Sequence, residues 1–131
     1  MGAWRTVVGL MAGFLILLSS AAHSLLGWRV QRAGLEAARA PADLILGLGF
    51  GWQFAGLAML TFGVIVLLTF VQVLRRQPVS LRPVLAIGVA YTVYGVWSLT
   101  ASGLDPFFLV FLVPGLLLLL AAQGHPRITG G

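Results

Sequence analysis

The sequence predicts an all-α integral membrane four-helix bundle, running up-down-up-down, with a short interfacial helix between spans 1 and 2. Three observations predict it. The stretch Leu44–Leu74 carries no charged residue and exceeds the roughly 20 apolar residues a helix needs to cross a bilayer core of about 30 Å. The chain of 131 residues is 60% hydrophobic and 8% charged, against about 25% charged for a soluble domain, too little polar surface to coat a water-soluble globule. Similar apolar runs recur on both sides of that stretch, separated by short segments that collect the charges. Spans are expected at about residues 5–27, 43–74, 83–101 and 106–123, within a single transmembrane domain covering 1–131.

The first apolar run, Val7 to Leu26, follows Arg5. It imitates a signal peptide, with one positive charge, an apolar core and then the small residues Ser19-Ser20-Ala21-Ala22. Cleavage after Ala22 is chemically reasonable. Retention is the expectation, because apolar character continues through Leu25-Leu26 to an interfacial Trp28 and makes a full span. The start MGAWRT fits the N-myristoylation pattern at Gly2 and Thr6, a match loose enough to be coincidence.

The segment Gly27 to Asp43 gathers Arg29, Arg32, Glu36, Arg39 and Asp43. Leu35 to Ala40 favours helix by propensity, Glu36 and Arg39 make a weak pair, and Val30, Leu35 and the alanines suit a short helix lying on the headgroups. Pro41 and Asp43 then open the second helix, proline suiting a first turn and the acid the positive end of the dipole. The 31 residues of its uncharged stretch reach about 46 Å, so it must tilt or project beyond the bilayer. The loop Arg75–Pro83 holds three arginines, with Pro78 and Pro83 stopping helix from running through. The third span is the most aromatic, with Tyr91, Tyr94 and Trp97. Asp105-Pro106 reads as a helix start. The fourth run is nearly pure hydrocarbon; Leu116–Leu120 is expected to face lipid and Pro114-Gly115 to kink the helix.

Arginine placement sets the expected orientation. With four spans, one side carries Arg5, Arg75, Arg76, Arg82 and Arg127, and the other carries Arg29, Arg32 and Arg39 together with all three acids. Both termini are therefore expected in the cytoplasm. The absence of lysine, with abundant Ala, Leu and Gly, suggests a GC-rich bacterial genome and hence a bacterial inner membrane. The net charge of +5 is scattered between apolar runs rather than gathered on one face, so no nucleic-acid partner is expected. Cysteine is absent, which removes disulfides and thiolate chemistry.

Lipid offers no hydrophobic driving force between helices, so close packing runs through small residues. The second span carries two small-residue ridges, Gly47, Gly51 and Ala55 on one and Gly49, Gly56 and Gly63 on the other. Two ridges on one helix predict that it is central and touches more than one neighbour.

No Asp, Glu, Lys or Arg lies inside a span, Arg5 and Asp43 standing only at span ends, which argues against a pump with a buried carboxylate as its proton carrier. The polar residues that do lie there are milder. His23 is about one and a half turns from the outer end of span one, and Trp52 and Gln53 are about two and a half turns into span two. Tyr94 and Trp97 occupy the outer half of span three. Ser19, Ser20, His23 and Ser24 share a helix face. Together His23, Trp52, Gln53, Tyr94 and Trp97 are candidates for a pocket in the outer half that holds a small amphipathic molecule or a lipid headgroup. Each also has a packing reading: His23 and Gln53 as bonds between helices, Trp97 and Trp28 as aromatic-belt residues, Tyr91 and Tyr94 as core.

Enzyme chemistry finds little footing. A bis-His haem site needs two imidazoles at one depth; only His23 lies in a span, with His125 in the tail, so no cofactor is expected. No metal is expected for lack of ligands. The layout is shared with DoxX-like proteins, but the chain lacks the embedded glutamate of small multidrug-resistance transporters and the Asn- and Thr-rich pore of small fluoride channels. No family is assigned on these grounds. The leading expectation is a structural or accessory membrane protein rather than an enzyme, one that packs against other transmembrane subunits or copies of itself. The alternative is small-molecule or lipid binding or transport around His23, Gln53 and Tyr94.

Overall fold

A computed structural model describes residues Gly2–Gln123 and shows four helices. Helix α1 runs over Ala3–Ala37, α2 over Ala42–Leu74, α3 over Arg82–Ala101 and α4 over Leu109–Ala122. Three of them, α1 to α3, are long and apolar enough to cross a membrane. The fourth is shorter, but a 3₁₀ turn at Pro106–Phe108 feeds directly into it, and the two together reach about 27 Å. His125 and Arg127 lie outside the described residues.

The helix ends follow local chemistry. Asp105 caps the Pro106 turn, its Oδ1 accepting from the Phe107 N–H at 2.9 Å. Pro41 sits just before α2, with Asp43 in the first turn. The α1, α2 and α3 ends share one device. The residues Arg39, Arg76 and Gly103 adopt left-handed backbone (φ 55°, 56° and 72°), and the amide that follows each bonds back to Leu35, Gln72 and Leu99.

The segment Gly27 to Asp43 differs from expectation. No separate interfacial helix forms. Its helical residues continue α1 without a break, through six π-helical residues at Ala22–Gly27 and then Trp28–Ala37. Neither of these two stretches contains a buried residue.

Helices α1 and α2 form one antiparallel hairpin. As α1 advances from Gly9 through Gly13, Leu17 and Ser20 to Trp28, its partners on α2 retreat from Phe70 through Val66, Gly63 and Gly56 to Gly49. Helices α3 and α4 form a second hairpin, joined at close backbone approaches. A Cβ on Gly95 would stand 2.6 Å from the Leu112 nitrogen, and one on Gly115 2.6 Å from the Thr92 nitrogen. Only glycine permits such contact. Helix α4 continues as helix through Pro114, which is buried beside Gly115.

The hairpins meet chiefly through α1 and α4, while α2 and α3 barely touch. Helices α1 and α4, and not α2, are therefore the ones with two extensive neighbours. The arginine of α1's first turns latches the pair: the Arg5 guanidinium donates to the Gln123 carbonyl oxygen at the end of α4. The core comprises Ala12 and Ile16 of α1, Val66 and Phe70 of α2, Val84 and Tyr91 of α3, and Leu118 and Ala121 of α4. Leu118 is fully buried while Leu116 and Leu120 face out, so the leucine run is split by helical periodicity rather than turned wholly to lipid.

Burial stops abruptly along the first hairpin. The last buried residue of α1 is Ser20, and the first of α2 is Gly56. Beyond that level, Ala21–Ala37 and residues 42–55 form a two-helix arm that α3 and α4 are too short to flank.

Candidate functional site

The arm is held at its base by a polar clasp built on the π-helical turn. Ser20 Oγ donates to the Gly56 carbonyl at 2.9 Å, buried between the helices. His23 Nε2 bonds the Trp52 carbonyl at 3.1 Å, and Trp52 Nε1 donates to the His23 carbonyl at 2.8 Å. A carbonyl only accepts, so Nε2 carries the imidazole proton in this arrangement. The two rings stack with centroids 4.4 Å apart and planes 3° from parallel. Gln53 Nε2 donates to the Ser24 carbonyl at 3.2 Å.

The π turn and the clasp belong together. Widening to i→i+5 bonding lets the carbonyls of His23 and Ser24 take side-chain donors from α2 as well as serve the helix. Gly56 lies where Ser24 Oγ packs, and a Cβ there would collide with it. Gly27 leaves room for the Trp52 ring, 3.1 Å from where its Cβ would sit. One turn further out, Trp28 covers Gly49 and tilts against Trp52 at 6.2 Å. Trp28 is thus a packing residue of the arm.

The structure brings His23, Trp52 and Gln53 together and places Tyr94 and Trp97 elsewhere. Tyr94 meets Phe111 edge-on at 4.9 Å and Trp97 at 5.7 Å, both within the second hairpin. Tyr94 and Trp97 border an open furrow of about 710 Å³ along α3. Gln53 borders a different groove of about 460 Å³, between the two helices of the arm, with Trp28, Arg32 and Glu36. Arg32 and Glu36 form an exposed ion pair at 2.8 Å.

The two small-residue ridges of α2 have separate fates. Gly49, Gly56 and Gly63 face α1, against Trp28, Ser24 and Leu17. Gly47 and Gly51 have nothing within 4 Å of a Cβ position, and Ala55 is exposed beside them. Sequence reasoning missed two features. One is that the polar side chains spend their donors on backbone carbonyls; the matched pairs His23-Ser24 and Trp52-Gln53 were the available signal. The other is Tyr91, whose hydroxyl is buried without a partner between the Phe62 and Phe111 rings.

The clasp can hold two helices in register. It contains a single titratable side chain, His23, with no carboxylate among its members. No protein-family model matches the chain, and neither do the curated proteins or solved structures compared with it.

Proposed function

We propose that the chain is a structural or accessory protein of a bacterial inner membrane, an up-down-up-down bundle with both termini in the cytoplasm. The α2 side of its arm, where the open ridge lies, packs against the transmembrane helices of another subunit or of a second copy. The observation that supports this reading is the uncovered apolar length of α2. Burying its 31-residue uncharged stretch, about 46 Å, in a core of about 30 Å needs a tilt of about 50°, beyond the usual range of about 0–40°. The N-terminal part of α2 also has no buried residue before Gly56, and Phe50 and Phe54 are 70% and 72% exposed. Beside these two rings run Gly47, Gly51 and Ala55, an open small-residue stripe of the kind that admits a neighbouring helix closely.

The test is mild-detergent purification from native membranes, read by intact-complex mass. The expected result is a stoichiometric partner or self-complex that Gly51→Leu abolishes and Gly34→Leu leaves intact, since Gly34 is equally open but lies on α1. A wild-type chain that is monomeric and partner-free would sink the proposal.

The alternative, small-molecule or lipid binding around His23, Gln53 and Tyr94, draws support from the meeting of the first two and from the groove that Gln53 borders with Trp28. It requires a ligand that travels with the monomer and is lost in Gln53→Ala.

A further inference from the structure

The furrow on α3 lies on the other hairpin and runs inward from the end of the molecule opposite the arm. Ala90 forms part of its floor, and Leu85, Val89 and Val93 are exposed along it. Arg82 stands at its head, the one charged group that borders it. From Arg82 to Val93 the helix rises about 16 Å, close to the thickness of one leaflet, half of a core of about 30 Å. Beyond that depth, about 18 and 22 Å along the helix from Arg82, Tyr94 and Trp97, 45% and 62% exposed and 5.7 Å apart, close the furrow with rings.

The charge at this end is one-sided. Arg5, Arg75, Arg76 and Arg82 gather there, whereas Glu36, Asp43 and Asp105 all lie at the opposite end. Among the described residues the single ion pair is Arg32–Glu36, so Arg82 has no carboxylate partner. A parallel second copy seated on this face would set Arg82 against Arg82, which like-charge repulsion disfavours.

We propose that this furrow binds an anionic phospholipid from the arginine-side leaflet, its phosphate on Arg82 and an acyl chain along Leu85–Val93. The chemistry is that of a basic residue at the headgroup level above an apolar channel. The arginine supplies headgroup preference. The furrow supplies a seat for the chain, ended just past mid-bilayer by Tyr94 and, further on, by Trp97. This site is independent of the arm, so variants of one leave the other intact.

The test is native mass spectrometry of the full chain in detergent, offered dioleoyl phosphatidylglycerol and dioleoyl phosphatidylcholine at equal concentration. The expected result is a preference for phosphatidylglycerol of about fivefold, the size expected for one arginine near a membrane surface. Arg82→Gln removes the preference. Arg82→Lys retains most of it, which shows that the fold is intact. Arg29→Gln, at the opposite end, leaves it unchanged. Ala90→Leu fills the floor and lowers retention of both lipids. The proposal is overturned if the preference survives Arg82→Gln, if Arg29→Gln erases it equally, or if Ala90→Leu leaves retention unchanged. A dimer that Ala90→Leu dissolves would also overturn it, in favour of a second copy on this face.

Discussion

His23 and Trp52 each present a ring N–H to the other's backbone carbonyl, so neither side chain is available as a loose polar group in the apolar environment. Hydrogen bonds between membrane helices contribute roughly 0.6 kcal/mol on average and up to about 1.7. Trp52→Phe keeps a stacking ring and removes one such bond, so a loss of about 1 kcal/mol is expected in a reversible detergent-unfolding titration. A loss of several kcal/mol would mean that the indole does more than bond His23. Tyr91 predicts the opposite sign. Its hydroxyl is buried with no partner, and an unpaired buried polar group costs about 1–3 kcal/mol. Tyr91→Phe is therefore expected to stabilise the chain, by the same titration. A destabilised variant would show that the hydroxyl is satisfied in the membrane.

At the scale of elements, the ridges of α2 separate fold from association. Gly63 is buried with Leu17 Cδ2 2.7 Å from its Cβ position, so Gly63→Leu should part α1 from α2 and lower stability by several kcal/mol, within the range of about 1–3 or more for overpacking. Gly47→Leu, on the open ridge, should leave monomer stability within about 0.5 kcal/mol of wild type. Equal effects in the two variants would mean that the ridges are not divided as seen. Both ridges were legible from small residues spaced along one helix. Which ridge would meet α1 was not, because the choice depends on the helix's rotation about its axis, and that is set by Ser20, His23 and Ser24 across the interface. The continuous α1 was also hidden. The charged, amphipathic composition of residues 27–37 reads as a headgroup helix, and Gly27 signals a break as readily as it ends the π turn that carries the helix on.

On the scale of the whole molecule, charge and length are the organising asymmetries. One end carries only arginines, and the other carries every acid and the arm. A membrane orientation with the termini inside predicts that a cysteine placed at Gln77 is labelled only from the cytoplasmic side and one at Ala40 only from outside. The chain has no native cysteine to confuse the readout. Labelling of both from one side would overturn the orientation. The two hairpins differ in reach by about ten residues, and that difference leaves the arm without flanking helices.

Local sequence was enough to show that the chain is helical, that α1 to α3 are long and apolar enough for a membrane, and where α2 and the 3₁₀ turn leading into α4 begin. These follow from hydrophobic run length, Pro41 and Asp105, all of which act locally. Tertiary structure alone decided that α1 rather than α2 has two extensive neighbours, that His23 and Gln53 meet while Tyr94 stands apart, and that Gly47 and Gly51 remain open. Almost every face of these helices is apolar, so hydrophobicity gives no rotational preference. Helix orientation is left to a few short-range contacts between distant residues: a serine on a glycine carbonyl, a stacked ring pair and the glycines that let backbones touch.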